Sequence, residues 1–194
     1  ASGRHDSAAF ARMQDLMRDA QRARVLAGVA VIDADGQPAF AIGDADSRDH
    51  AELIRQVLRE PRVTLVDLHL NAQGEARFGV LAPIGDAGRP PHGVAYLTWR
   101  ADAVLFPMVE SWPIPTRTAE TYLVRRDGTG VRFLTPLRHQ QDAALVLTLP
   151  LASPKLPAAR AAQGEAGILA GGSDYRGVPV LAYASPIGGT PWLM

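Results

Sequence analysis

The most pointed polar cluster in the chain is Asp174-Tyr175-Arg176-Gly177, preceded by Gly171 and Gly172. Glycine at these positions lets the backbone take positive φ, so the run predicts a tight hairpin turn. Its side chains admit two readings. In one, Asp174 accepts backbone N–H groups and Arg176 pairs locally. In the other, Tyr175 and Arg176 close over a small anion, a task that suits the planar guanidinium because it binds carboxylates bidentately. A second group lies earlier in the chain. Asp67 and His69 share one strand face by period two, opposite Val66, Leu68 and Leu70, while Arg77 sits on the following strand and Tyr96 and Thr98 share a face of the one after it. Brought together, Asp67, His69, Arg77 and Tyr96 form a site with opposite charges and one aromatic wall. Pointing outward, they are a polar face with a cross-strand ion pair worth about 0.2–1 kcal/mol.

Other chemistries lack their residues. The five histidines, His5, His50, His69, His92 and His139, show no i, i+4 spacing on one helix, so no metal centre is expected. Without cysteine there is no thiolate nucleophile, disulfide or Cys-based metal site. There is no Gly-x-Ser-x-Gly elbow, and the glycines near position 170 lack the Lys and helix of a phosphate loop. His139, Asp142 and Ser153 can be assembled into a hydrolase, but nothing in their spacing fixes a geometry. Twenty basic side chains balance twenty acidic ones, which is not the footprint of a nucleic-acid binder. No apolar run approaches the roughly 18 residues that cross a bilayer. The expectation is a domain without catalysis, cofactor, metal or nucleic-acid partner.

The elements that position these residues follow from hydrophobic period. Phe10, Met13, Leu16, Met17, Val25 and Leu26 have helical spacing, so a long amphipathic helix is expected over 7–26. Val29–Ile32 and Ala39–Ile42 read as strands around the turn Asp33-Ala34-Asp35-Gly36. A helix capped by Asp46 or Ser47 buries Leu53, Ile54, Val57 and Leu58 and ends near Pro61. Three strands follow, Val63–Leu70, Ala76–Ile84 and Gly93–Arg100. A helix over 102–112 is limited by Pro113 and Pro115, and Trp112 reads as a packed joint. Beyond it, strands Thr121–Arg126 and Val131–Leu134 flank Asp127-Gly128-Thr129-Gly130. A further strand is expected in Ala143–Leu151 and a short helix in Lys155–Gln163.

The two halves echo one another. Asp33-x-x-Gly36 and Asp127-x-x-Gly130 each join two strands, and Val80-Leu-Ala-Pro83-Ile84-Gly85 resembles Leu181-Ala-Tyr-Ala-Ser-Pro186-Ile187-Gly188, each followed by a strand bearing Trp, at Trp99 and Trp192. Two matches in the same order suggest a degenerate duplication. The alternative is one irregular α+β domain with recurrent Asp-x-x-Gly turns.

A family resemblance rests on the second half. Ser111-Trp112-Pro113-Ile114-Pro115-Thr116, Thr118-Ala119-Glu120-Thr121-Tyr122-Leu123-Val124, Gly172-Ser173-Asp174-Tyr175-Arg176-Gly177-Val178-Pro179-Val180 and Gly189-Thr190-Pro191-Trp192 resemble the extracytoplasmic double Cache (tandem PAS-like, PDC) sensor domains of bacterial transmembrane receptors. Over 1–100 the likeness rests on element order alone. It implies an α+β fold with a long N-terminal helix (1–26), a membrane-distal PAS-like unit (27–100), a connecting helix (101–112) and a membrane-proximal PAS-like unit (113–194). Each unit would carry a mainly antiparallel sheet flanked by helices. It further implies a periplasmic sensor between two transmembrane helices, dimeric through its N-terminal helix, that detects a small molecule for a histidine kinase or a diguanylate cyclase or phosphodiesterase. Ends that fall inside a helix and at a last strand fit a piece trimmed from such a receptor. The ligand-binding residues expected are Asp67, His69, Arg77, Tyr96, Tyr122, Asp174, Tyr175 and Arg176. The family's amino-acid signature, a Tyr- and Arg-rich helix leading to an Arg-x-Trp-Tyr strand, is absent. The alternative function is a ligand-free dimerisation or protein-interaction module of the same kind of receptor.

Overall fold

Alternation of apolar and small residues builds the first sheet. In a computed structural model of the chain, β1 (Gly28–Asp33), β2 (Pro38–Gly43), β3 (Thr64–Leu70), β4 (Ala76–Ile84) and β5 (Gly93–Arg100) form one sheet in the order β2-β1-β5-β4-β3. The structure describes residues 26–111 and 118–194, together with Ala11, Arg12, Asp15, Arg18 and Asp19. Those five are helical, and Arg18 lies 3.1 Å from Asp15. Leu26, the last residue of the helix expected over 7–26, is not helical, and the remainder of that helix lies outside the described residues, as do Trp112, Pro113 and Pro115. Two compact units divide the chain, one of residues 1–67 and 77–100, the other of 68–76 and 101–194.

In the first unit α1 (Ala51–Arg59) lies on the sheet and buries Ile54 and Val57 against Ala30, Ile32, Val66, Leu81, Val94 and Tyr96. Its outer face is polar, with Glu52 2.6 Å from Arg55. The helix starts later than the capping residues suggest. Ser47 opens a 3₁₀ turn, Arg48–His50, and Asp46 accepts the Arg48 N–H at 3.0 Å, so the α-helical ladder begins only at Ala51.

The second unit contains α2 (Leu105–Glu110), β6 (Val124–Asp127), β7 (Gly130–Phe133), β8 (Thr148–Pro150), α3 (Pro157–Ala162), β9 (Gly167–Ser173) and β10 (Pro179–Ala184). The helix expected over 102–112 is shorter, because Pro107 has no N–H to extend the ladder and is tolerated only in a first turn. The strand expected in Ala143–Leu151 contracts to three residues. Ala143 ends a 3₁₀ turn, and Leu145 holds a left-handed φ of 61°, which no strand accommodates. β6, β7 and β8 form one antiparallel sheet, β9 and β10 another. The segment Trp192–Met194 runs between them. Leu193 exchanges two 2.8 Å backbone hydrogen bonds with Val124, and Met194 exchanges two of 2.9 Å with Ser185. The spatial succession is thus β8, β7, β6, residues 192–194, β10, β9, which apart from the edge strand β8 has the same connection order as β2-β1-β5-β4-β3.

Turns as well as strands repeat. At Asp33, Asn71 and Asp174 the side-chain Oδ1 accepts N–H groups two and four residues on, at 2.8–3.1 Å. The glycine three residues on, Gly36, Gly74 or Gly177, takes φ near 80° and donates back to the carbonyl of the first residue. A short carboxylate or amide that can bond its own backbone, followed by the residue that tolerates left-handed φ, specifies this hairpin three times.

Candidate functional site

A cavity of about 440 Å³ lies within the second unit. One wall is the extended run into β6, where period two puts Glu120, Tyr122 and Val124 on one side. The floor is α3, whose Pro157, Ala158 and Ala161 present only small side chains. The β9–β10 turn contributes Asp174 and Arg176, and β10 contributes residues 180–184. Leu181 and Tyr183, 75% and 70% exposed, stand at its open side.

The polar groups are ordered by short hydrogen bonds. Asp174 Oδ2 accepts from Arg176 Nε at 2.9 Å and Nη2 at 2.6 Å, while its Oδ1 holds the turn. Burial works to raise the Asp174 carboxyl, but the Arg176 side chain and the Arg176 and Val178 N–H groups outweigh it and hold the group below its ordinary value. Tyr175 donates its hydroxyl to Glu120 Oε2 at 3.1 Å and accepts the His139 N–H at 3.3 Å. Glu120 Oε1 also accepts the Arg138 N–H at 2.7 Å. The Arg176 guanidinium lies 5.6 Å from the centre of the Tyr175 ring, which in turn meets Phe133 edge to face at 6.0 Å. Burial first, then the carboxylates of Glu120 and Asp174, push the Tyr122 hydroxyl far up, so it remains a neutral donor at any physiological pH.

The structure therefore brings Tyr122, Asp174, Tyr175 and Arg176 together. Asp174 builds the turn and pairs with Arg176, as one reading of the Asp-Tyr-Arg-Gly run has it; Asp174 and Arg176 also line the cavity, whereas Tyr175 is not among its lining residues and bonds Glu120. Sequence reasoning named Glu120 only as part of a motif. Its position two residues before Tyr122 on an extended run was the signal that it shares the wall. The small residues of α3 gave none.

The four expected residues of the five-stranded sheet do not converge. Val66 enters the core with Leu81 and Tyr96, so alternation along β3 sends Asp67 and His69 to the opposite face. Arg77 and Tyr96 lie on the core side and are sealed there. Arg77 Nε donates to Asp44 Oδ2 at 2.7 Å, and the Thr98 hydroxyl donates to the Asp44 carbonyl at 2.6 Å. A Cβ on Gly28 would stand 2.4 Å from the Asp44 carbonyl carbon, and one on Gly79 2.8 Å from the Tyr96 ring. His50 meets the Tyr96 ring edge to face at 5.4 Å. Burial, then Asp44, Asp46 and Asp49, drive the Tyr96 hydroxyl far above its usual value. Among the described residues no group of three or more His, Asp or Glu side chains could hold a metal ion, and no helix is long and apolar enough to cross a membrane.

Two solved structures share this architecture. The ligand-binding domain of the Pseudomonas aeruginosa PAO1 amino acid chemoreceptor PctC, in complex with GABA, superposes with a TM-score of 0.56 at 17% identity, over 100% of this chain and 81% of that one. The extracellular domain attributed to the histidine kinase mmHK1S-Z2 gives 0.59 at 15% identity, over 95% and 79%. The chain shares the fold of these two receptor domains. No family model matches it, and no curated protein matches it. At such identities the fold alone carries over from these structures, and side chains must be judged from this chain. By that standard the cavity of the second unit is the candidate site.

Proposed function

We propose that the chain is the extracytoplasmic, non-catalytic sensor portion of a bacterial membrane receptor. It would comprise two PAS-like units, 27–100 and 113–194, joined by the segment 101–112 and led by a helix over 1–26. The observation that carries this reading is the sensor-domain fold, matched over nearly the whole chain by domains of a chemoreceptor and a histidine kinase. A cavity of about 440 Å³ falls in the range that holds small organic ligands.

In this reading a small molecule binds at Tyr122, Asp174, Tyr175 and Arg176, with Glu120 beside them. It shifts the receptor between two states by binding one better than the other. Transmembrane helices flanking the chain, dimerisation through the N-terminal helix, a periplasmic location and a histidine kinase or diguanylate cyclase or phosphodiesterase output complete it. The test is a thermal-shift screen of the chain against small carboxylates, amines and purines. A ligand at about 100 times its dissociation constant adds about 2.7 kcal/mol to stability, enough for a clear rise in melting temperature. Silence across the panel would turn the assignment to a ligand-free dimerisation or protein-interaction module. The exposed Ile168, Leu181 and Tyr183 on β9 and β10, 70–75% accessible, favour that second reading.

A further inference from the structure

The cavity of the second unit is not electrically neutral. Its wall carries two carboxylates, Glu120 and Asp174, and one cation, Arg176. Asp174 and Arg176 neutralise each other through two hydrogen bonds to a single oxygen. Glu120 accepts only from the Arg138 N–H and the Tyr175 hydroxyl, and no guanidinium or ammonium group pairs with it among the described residues. A carboxylate has about four acceptor positions, so Glu120 keeps capacity toward the cavity.

The rest of the lining sets the other half of the ligand. Pro157, Ala158 and Ala161 give a smooth apolar floor without a donor or acceptor in the side chains. Two tyrosine rings, Tyr122 and Tyr183, add faces that attract cations. Leu181 and Tyr183 expose large apolar surface at the mouth, which a ligand body would cover.

Resting on the sensor reading above, we propose that this cavity binds an organic ammonium ion with an apolar body, its nitrogen directed to Glu120 and its body laid over α3 and against Leu181 and Tyr183. An anion of the same shape would meet a wall that sets two carboxylates against one guanidinium. A hydrophilic ligand would leave the floor and mouth unsatisfied.

The experiment is isothermal titration calorimetry of the chain with phenethylammonium, and in parallel with 3-phenylpropionate and 2-phenylethanol, which keep the ring and change the charge. Phenethylammonium is expected to bind at one site, at least tenfold more tightly than either. Glu120→Gln retains the shape and an acceptor for Tyr175, and it should weaken the ammonium by about ten- to a hundredfold, the measure of one charge-assisted hydrogen bond. Leu181→Arg sits on an exposed side chain and leaves the fold intact. It places a cation at the mouth and should weaken phenethylammonium while sparing phenylpropionate. Equal or tighter binding of phenylpropionate, or an unchanged affinity in a folded Glu120→Gln variant, overturns the proposal. If phenethylammonium fails but another compound of the thermal-shift panel binds, the ammonium assignment falls and the sensor reading stands. If nothing binds, both fall.

Discussion

The two units share a strand order and a turn motif, yet the helix laid on the sheet is bulky in one and small in the other. Over the first sheet, α1 lays down Ile54 and Val57, Tyr96 fills the space over Gly79, and Arg77 closes on Asp44. Over the second, α3 offers Pro157, Ala158 and Ala161, and a cavity remains beside them. The difference resides in side-chain volume on the covering helix, while the sheet connections are alike. Two sheets of like connection can thus be covered by bulky side chains in one unit and by small ones that leave a cavity in the other.

Opening the first unit artificially should be the most damaging way to test that contrast. Ile54→Ala removes a side chain that is 2% exposed in the centre of the α1 contact. Lost transfer energy and an unfilled void together cost about 2–5 kcal/mol. Urea unfolding should show a lower midpoint with unchanged slope, whereas enlarging Ala161 to Ser, at the edge of the open cavity, should cost well under half as much. Equal losses would mean that the second unit is as tightly filled as the first.

Next in size is the sealed ion pair. Arg77→Met keeps most of the side-chain volume and leaves the Asp44 carboxylate without its guanidinium. Removal of one partner of a deeply buried pair costs about 3–5 kcal/mol. The Asp44 side chain is 33% exposed and water answers part of the loss, so about 1–2 kcal/mol is expected. The same denaturation measurement checks it, and a loss near zero would show that the Thr98 hydroxyl and the close approach at Gly28 suffice to hold Asp44.

Much of this architecture was legible in the residues. β4 and β5 coincide with the runs read from alternation, and the hairpins at Asp33 and Asp174 were visible because a turn is specified by neighbours in sequence. The first-unit site was misread for a reason of the same kind. Period two fixes which residues share a face of one strand, and it correctly grouped Asp67 with His69. It does not say which face of the neighbouring strand is the same side, because that depends on register, and Arg77 and Tyr96 proved to lie opposite. The cavity was invisible for another reason: Ala158 and Ala161 signal helix and burial, and an empty volume is defined by side chains that are distant in the chain. Leu145 illustrates a third limit, since its left-handed backbone is imposed by tertiary hydrogen bonds to Phe133 and Arg132 and contradicts its own propensity.

The smallest effect concerns the turn that the two units have in common. Asn71 makes the same two backbone hydrogen bonds as Asp174, so Asp174→Asn should preserve the hairpin and lose only the charge that holds Arg176. With the Arg176 side chain 37% exposed, the cost at neutral pH is expected to stay below about 1 kcal/mol. Its pH dependence identifies its origin. The folded-state pKa of Asp174 is lowered relative to the unfolded chain, so its contribution is fully present above the ordinary carboxylate value and is lost as the pH falls through the lower, folded-state value. Chemical denaturation of the native chain and of Asp174→Asn should therefore give stabilities that differ at neutral pH and converge on acidification through that window. Were the gap to persist in acid, the aspartate would be acting through the shape of the turn, and the second hairpin would differ from the Asn71 hairpin in more than charge.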